Sequence, residues 1–253
     1  MNQTKIYGHR GAKGTYPENT ILSFKEAILQ GVDGIELDVH MTLDGEIVVI
    51  HDESLNRTTD GSGFVKDRTL DEIKRFSAGR NFTTFPNFKE SWVQETVPTL
   101  KEVLQLLAPF DIELNIELKT YIFPYKGIEE KTLALVSEYG NSRKVIYSSF
   151  HLPTLLRLKQ LDSSVNIAWL LHDKFSHLSD YINSLNLEAL HLHKDYVLTY
   201  EDSLHDIHPF IRAWTVNNQV EINKLLDMQV EAIITDYPSL AIANRDKRIA
   251  PVE

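Results

Sequence analysis

The chain has 253 residues, of which 42% are hydrophobic, a formal net charge of −10 and no cysteine. That length admits one large domain or two small ones, with enough apolar matter for a full core. The acidic balance excludes nucleic acid as the expected partner, because phosphate backbones need a basic surface, and the lack of cysteine excludes disulfides and thiolate metal sites. The N-terminus, MNQTKIYGHRG, runs straight into a strand-like pattern with no basic and apolar leader segments. No apolar run approaches the roughly 20 residues of a membrane span, so the expectation is a soluble, cytoplasmic protein.

In chain order, KIYGH reads as a strand that ends on two bulky polar residues, His9 and Arg10, and then loosens into glycine at Gly11 and Gly14. Thr20 to Gln30 reads as an amphipathic helix, with Asn19 or Thr20 placed to cap it and Gly31 to end it. GIELDV and EIVVIH follow, joined through Asp44-Gly45, a hairpin signal with no room for a helix. A two-residue turn there sets Asp38 opposite His51. From about Asp52 to Val97 the rhythm breaks into a Thr-, Asp-, Gly-, Asn-, Phe- and Arg-rich stretch with a short helical pattern near TLDEIKRF. It is too long for a plain loop, and residues 52–97 read as an insertion or lid over a barrel mouth. Six more strand candidates follow, IELNIEL, KVIYSSF, NIAWLL, EALHLH, IRAWTV and AIITD, with helical patterns after them. Setting the hairpin return aside leaves eight strands alternating with helices. The expected fold is an α/β TIM-type (β/α)8 barrel: a single domain over residues 1–253, with a β-hairpin and a small insertion after the second barrel strand.

In GIELDVHM, Glu36, Asp38 and His40 alternate with Ile35, Leu37 and Val39, so the polar residues share one face of a strand. In a barrel with helices outside, that face points inward. IELNIELKT repeats the pattern with Glu113, Asn115, Glu117 and Lys119. Carboxylates buried together are costly unless paired or bound to metal. Three of them at one mouth, Glu36, Asp38 and Glu117, suit a hard divalent cation, Mg²⁺ or Ca²⁺. The competing reading is a buried salt-bridge cluster with Lys119 or Arg10. His9 and His51 both end strands, at the reactive end of such barrels, where two imidazoles can divide acid and base work. His191, His193, His205 and His208 read as structural or exposed, and His40 shares the carboxylate face without an assigned role. Arg10 and Lys119 are the anion contacts, and Trp214 is either an apolar wall for substrate or a core residue.

These residues fall in segments that resemble the glycerophosphodiester phosphodiesterases. The matching segments are GHRGAKGTYPENT, GIELDVHMTLDGEIVVIHDESLNRTTDGSG, VPTLKEVL, IELK, SSF, AWTVNN and IITDYP, in family order from Gly8 to Pro238. The resemblance implies a TIM-type barrel that hydrolyses glycerophosphodiesters to glycerol 3-phosphate and an alcohol with a divalent cation. By position, His9 and His51 take the acid–base pair, Glu36, Asp38 and Glu117 the metal, and Arg10 and Lys119 the phosphate. The middle of the insertion, NFTTFPNFKESWVQE, follows no usable pattern. Two alternatives compete with this reading. One is a phospholipase D-like lyase that releases a cyclic phosphate from lysophospholipids and needs an apolar acyl groove. The other is a catalytically silent binding module on the same fold.

Overall fold

The structure is a computed structural model, and it describes residues 3–248. Its strands are β1 (Lys5–His9), β2 (Gly34–Met41), β3 (Ile47–Val49), β4 (Glu113–Leu118), β5 (Val145–Ser149), β6 (Asn166–Leu171), β7 (Ala189–His193), β8 (Ile211–Trp214) and β9 (Ala232–Thr235). The helices are α1 (Ile21–Leu29), α2 (Leu70–Ile73), α3 (Leu100–Leu107), α4 (Ile128–Tyr139), α5 (Leu152–Leu161), α6 (Leu178–Leu185), α7 (Lys194–Thr199), α8 (Glu201–Leu204), α9 (Gln219–Asp227) and α10 (Pro238–Asp246). No helix of the described residues is long and apolar enough to cross a membrane.

All strands but β3 are parallel, and β1 pairs with both β2 and β9, which closes the sheet into an eight-stranded barrel with helices between strands. Alternation decides what faces where. Ile35, Leu37 and Val39 of β2 and Leu114, Ile116 and Leu118 of β4 pack in the main apolar core between barrel and helices. The residues between them, Glu36, Asp38, Asn115 and Glu117, are buried on the other face, inside the barrel. The N-terminal end of the barrel is closed by Lys5 between Glu113 and Glu231, with the fully buried Arg212 donating to the Tyr7 hydroxyl at 3.1 Å. Glu113 therefore belongs to the opposite end from Glu117.

β3 is the hairpin return, but its register differs from the two-residue turn expected. Val39 faces Val49, and the Ile50 amide donates to the Asp38 carbonyl, so Asp38 lies opposite Ile50 rather than His51. Thr42 and Glu46 close a loop of Leu43, Asp44 and Gly45, with Gly45 at φ +84°. This is the three-residue hairpin, in which the glycine takes the left-handed position at the end of the turn. The Asp44 carboxylate accepts from the Thr42 hydroxyl and the Leu70 amide, which tips the balance toward the longer loop.

The 52–97 segment holds α2, with a Thr69–Glu72 capping box, and three single turns of 3₁₀-helix. Its Leu55, Val65, Ile73, Ala78 and Val97 pack on Val48 and Ile50 of the hairpin arm. Its middle folds as an aromatic cluster, with Trp92 against Phe85, Phe88 and Tyr16.

Candidate active site

The C-terminal ends of the strands surround a cavity of about 80 Å³ lined by His9, Arg10, Glu36, His51, Glu117, Lys119 and Trp214, among others. Asp38 lies just beneath, 1% exposed. All eight residues singled out in the sequence thus meet at one place.

Glu36, Asp38 and Glu117 each offer a carboxylate oxygen, and these oxygens lie within 4.8 Å of one another. Their ion pairs are partial. The Arg10 Nε is 3.2 Å from Asp38 Oδ2, and Lys119 Nζ is 3.0 Å from Glu117 Oε1 and 3.7 Å from Asp38 Oδ1. Burial and the neighbouring Asp38 charge push Glu36 well above the usual carboxylate range, and burial also raises Glu117. Asp38 is held far below that range despite its burial, by Arg10, His51 and Lys119. Its Oδ1 is buried without a hydrogen bond. Three buried carboxylates against two cations, with one oxygen left without a hydrogen bond, fit a hard divalent ion with oxygen ligands.

Arg10 stands at φ +53°, and its amide donates to Glu36 Oε2 at 3.0 Å while its Nη1 donates to Glu18 at 2.8 Å. Gly11, at φ +86°, lies so close to Ser23 that a side chain there would collide with it. Glycine at this point lets the chain turn out of β1 directly beside the carboxylates. Asn19 donates to Asp38 Oδ2 at 2.9 Å.

Of the three histidines that line the cavity, His9 and His51 each have a carboxylate partner, whereas His191 is buried with its Nε2 free of any hydrogen bond. His9 Nδ1 is 2.6 Å from Asp236 Oδ1, just past the end of β9, and His51 Nδ1 is 2.7 Å from Asp52 Oδ1. Burial, with Arg10 beside it, lowers His9 to about 4. Burial works against ionised Asp236, but His9, Lys13 and Asn217 together outweigh it and hold the carboxyl at about 2. A neutral His9 therefore donates its Nδ1–H to a carboxylate and leaves Nε2 as an acceptor, 3.9 Å from Glu36. Asn217 locks Asp236 in turn, donating to Oδ2 at 2.7 Å and accepting the Asp236 amide at 2.9 Å. His51 is more open, and its Nε2 accepts from Lys119 Nζ at 3.1 Å. Its hydrogen bond holds Asp52 below the usual carboxylate range.

A relay of charges links the two histidine sides. Arg57 forks onto Asp52 and onto Glu18, which also accepts from Arg10. His40, fully buried, bridges the Tyr125 hydroxyl and the carbonyl of His51, and so fixes the backbone that carries His51. The sequence reading assigned nothing to Asp236, Asp52, Glu18, Arg57 or Asn217. Asp236 and Asp52 were within reach of a simple rule: both are acidic residues at the C-terminal ends of strands. The role of Trp214 is mixed, since it lines the cavity, donates from Nε1 to the His191 carbonyl and packs edge-on against Phe150 and His193.

With this geometry in place, residues 9–240 match the glycerophosphoryl diester phosphodiesterase family. The chain belongs to that family. It is 39% identical over 248 residues to a glycerophosphodiester phosphodiesterase of Bacillus altitudinis, covering 96% of this chain and 99% of that one. One of Caldanaerobacter subterraneus is 38% identical over 243 residues, covering 95% of this chain and 97% of that one. Among solved structures, an Oleispira antarctica phosphodiesterase in complex with its product sn-glycerol-3-phosphate superposes with a TM-score of 0.84 at 29% identity, covering 96% of this chain and 97% of that one.

Proposed function

We propose that this protein hydrolyses glycerophosphodiesters to glycerol 3-phosphate and an alcohol, with Glu36, Asp38 and Glu117 holding one divalent cation, Mg²⁺ or Ca²⁺. The observation that carries the proposal is the pair of histidines, each hydrogen-bonded to its own carboxylate, beside three buried carboxylates with oxygens within 4.8 Å of one another. When bound, the cation supplies positive charge against the phosphate oxygens and favours the ionised form of the attacking hydroxyl. Arg10 and Lys119 receive the phosphodiester, Arg as a fork and Lys as a point charge.

His9 acts as the base. Its ring is neutral, Asp236 keeps the proton on Nδ1, and the free Nε2 takes the proton of the attacking hydroxyl, from water or from the glycerol arm. Asp236 then stabilises the imidazolium that forms, as the aspartate does in a Ser-His-Asp triad. His51 acts as the acid. Once Lys119 turns from His51 Nε2 to the phosphate, Nε2 takes up a proton, Asp52 stabilises the charged ring, and Nε2 delivers that proton to the leaving alkoxide. Trp214 closes the cavity on its apolar side. Residues 52–97 form part of the same barrel domain, as an insertion at the mouth whose contribution to the site is Asp52 and Arg57. We place the enzyme in the cytoplasm.

The test is product analysis on glycerophosphodiesters before and after chelation. Glycerol 3-phosphate must appear, disappear with EDTA and return with Mg²⁺ or Ca²⁺. Full turnover by rigorously metal-free protein would end this reading.

A further inference from the structure

The start of the 52–97 segment carries Arg57 into the gap between two carboxylates from different parts of the site. Its Nε donates to Asp52 Oδ2 and its Nη2 to Asp52 Oδ1, both at 2.8 Å. On the other side Nη1 donates to Glu18 Oε2 at 2.8 Å and Nη2 to Glu18 Oε1 at 2.9 Å. Two forks at once need a planar guanidinium, since an ammonium offers only a point charge. The backbone beneath the guanidinium is fixed as well. Asn81 Nδ2 donates to the carbonyls of Arg57, at 3.2 Å, and Thr59, at 2.6 Å. The Thr59 hydroxyl donates to the carbonyl of Leu55 at 2.7 Å, and Leu55 is fully buried against the hairpin arm.

Each of the two carboxylates has a second partner. Asp52 Oδ1 also meets His51 Nδ1, at 2.7 Å, and Glu18 Oε1 also accepts from Arg10 Nη1, at 2.8 Å. Charges of opposite sign therefore alternate along Asp52, Arg57, Glu18 and Arg10, with His51 at one end of the line. Glu18 is a firm anchor, with a side chain only 3% exposed. Burial works against its ionised form, but Arg57 and Arg10 hold it at about 2. Asp52 is not firm by itself. Its side chain is 26% exposed, and a turn of the carboxylate toward water would break its bond to His51. The Arg57 fork gives one N–H to each Asp52 oxygen and so fixes the plane of that carboxylate, with Oδ1 toward the ring.

Building on the hydrolase reading, we infer that Arg57 is a positioning residue for the proton donor: it uses the buried Glu18–Arg10 pair as an anchor, holds Asp52 behind His51, and thereby sets the ring for delivery to the leaving oxygen. It acts through Asp52 and touches none of the reacting atoms. Without it Asp52 keeps its charge and loses its orientation, so the cost falls on the step that needs the proton.

The test compares kcat on glycerophosphoethanolamine, whose leaving alkoxide needs a proton, with kcat on the p-nitrophenyl ester of glycerol phosphate, whose leaving oxygen does not. The alkyl-to-aryl ratio should fall by about tenfold to a hundredfold in Arg57→Gln, the size of a lost hydrogen bond to a charged group. Arg57→Lys should recover little of it, because a point charge cannot fork onto both carboxylates. A ratio that stays at the wild-type value, whether or not both rates fall together, would overturn the inference. So would full recovery in Arg57→Lys, since charge alone would then suffice. A readout independent of turnover is the ¹⁵N spectrum of His51, in which the Nδ1 proton should lose its hydrogen-bonded shift in both variants while their circular dichroism stays that of the wild type. An unchanged His51 resonance in the folded variants would overturn the inference whatever the rates. If the wild type cleaves neither ester, the hydrolase reading fails, and the His51 spectrum alone still decides whether Arg57 orients Asp52.

Discussion

Asp236→Asn isolates the orientation of His9 from everything else in the site. Asn217 Nδ2 donates to Asp236 Oδ2 at 2.7 Å, so the position facing Asn217 must remain an acceptor. In the variant the amide oxygen takes that place and the amide nitrogen faces His9 Nδ1. The imidazole must then accept at Nδ1 and carry its proton on Nε2, the atom that has to receive one. A wrong tautomer of this kind costs about 10⁴ in kcat where an aspartate orients a catalytic histidine, and a base typically contributes about 10²–10⁴, so a loss of at least about 10² is expected. Stability falls as well. A carboxyl held at about 2 rather than 3.8 stabilises the native state by about 2 kcal/mol at neutral pH. That contribution is present above pH 3.8 and disappears as the pH falls through about 2. For a chain of this length it corresponds to a drop in Tm of about 4–8 °C. Steady-state kinetics well below the new Tm, with ¹⁵N spectra to read the His9 tautomer, measure both effects. Adding Asn217→Asp to that variant supplies an acceptor for the introduced amide nitrogen and turns the introduced amide oxygen back toward His9, which should recover part of the rate. The reasoning fails if Asp236→Asn keeps near wild-type kcat, or if the spectra show the proton still on Nδ1.

The two histidines separate by leaving group. His9→Ala and His51→Ala should each lose about 10²–10⁴ in kcat on an alkyl ester, but only His51→Ala should recover on a p-nitrophenyl ester, whose departing oxygen needs no proton; recovery of both, or of His9→Ala alone, reverses or removes the assignment. His40 supplies a pH test. Burial holds it at about 4 against 6.5 when free, so its neutral form favours the folded state above pH 6.5, and that stability is lost as the pH falls from 6.5 toward 4. Urea unfolding at pH 7 and pH 5 should show wild type losing about 2 kcal/mol more than His40→Gln across that interval, and equal slopes would contradict a buried neutral ring.

The barrel was legible because its signals are local. Period-two alternation in GIELDV and IELNIEL declares which residues go inward, and eight such runs between helical patterns leave few other folds. The same alternation brought out Glu36, Asp38 and Glu117. What stayed hidden depends on geometry between distant residues. The hairpin register turned on whether Asp44 would hold the Thr42 hydroxyl and the Leu70 amide, a contact across 26 residues. Asp236 gained meaning only when β9 paired with β1. Glu18 and Arg57 look like ordinary surface charges in the sequence, because nothing in their own neighbourhoods shows that they will meet between two histidine sides. The middle of the 52–97 segment was opaque because its aromatic residues pack on one another rather than on a periodic face.

His9 lies on the first strand and Asp236 just past the last, 227 residues apart, and they touch only because those two strands are neighbours. A chain made from its N-terminus displays His9 227 residues before it receives the aspartate. Every length that stops short of Asp236 therefore lacks an oriented base, however much of the sheet has already formed. Turnover in this protein doubles as a report on ring closure, and a ribosome-bound series of lengths should stay silent until β9 has emerged and docked.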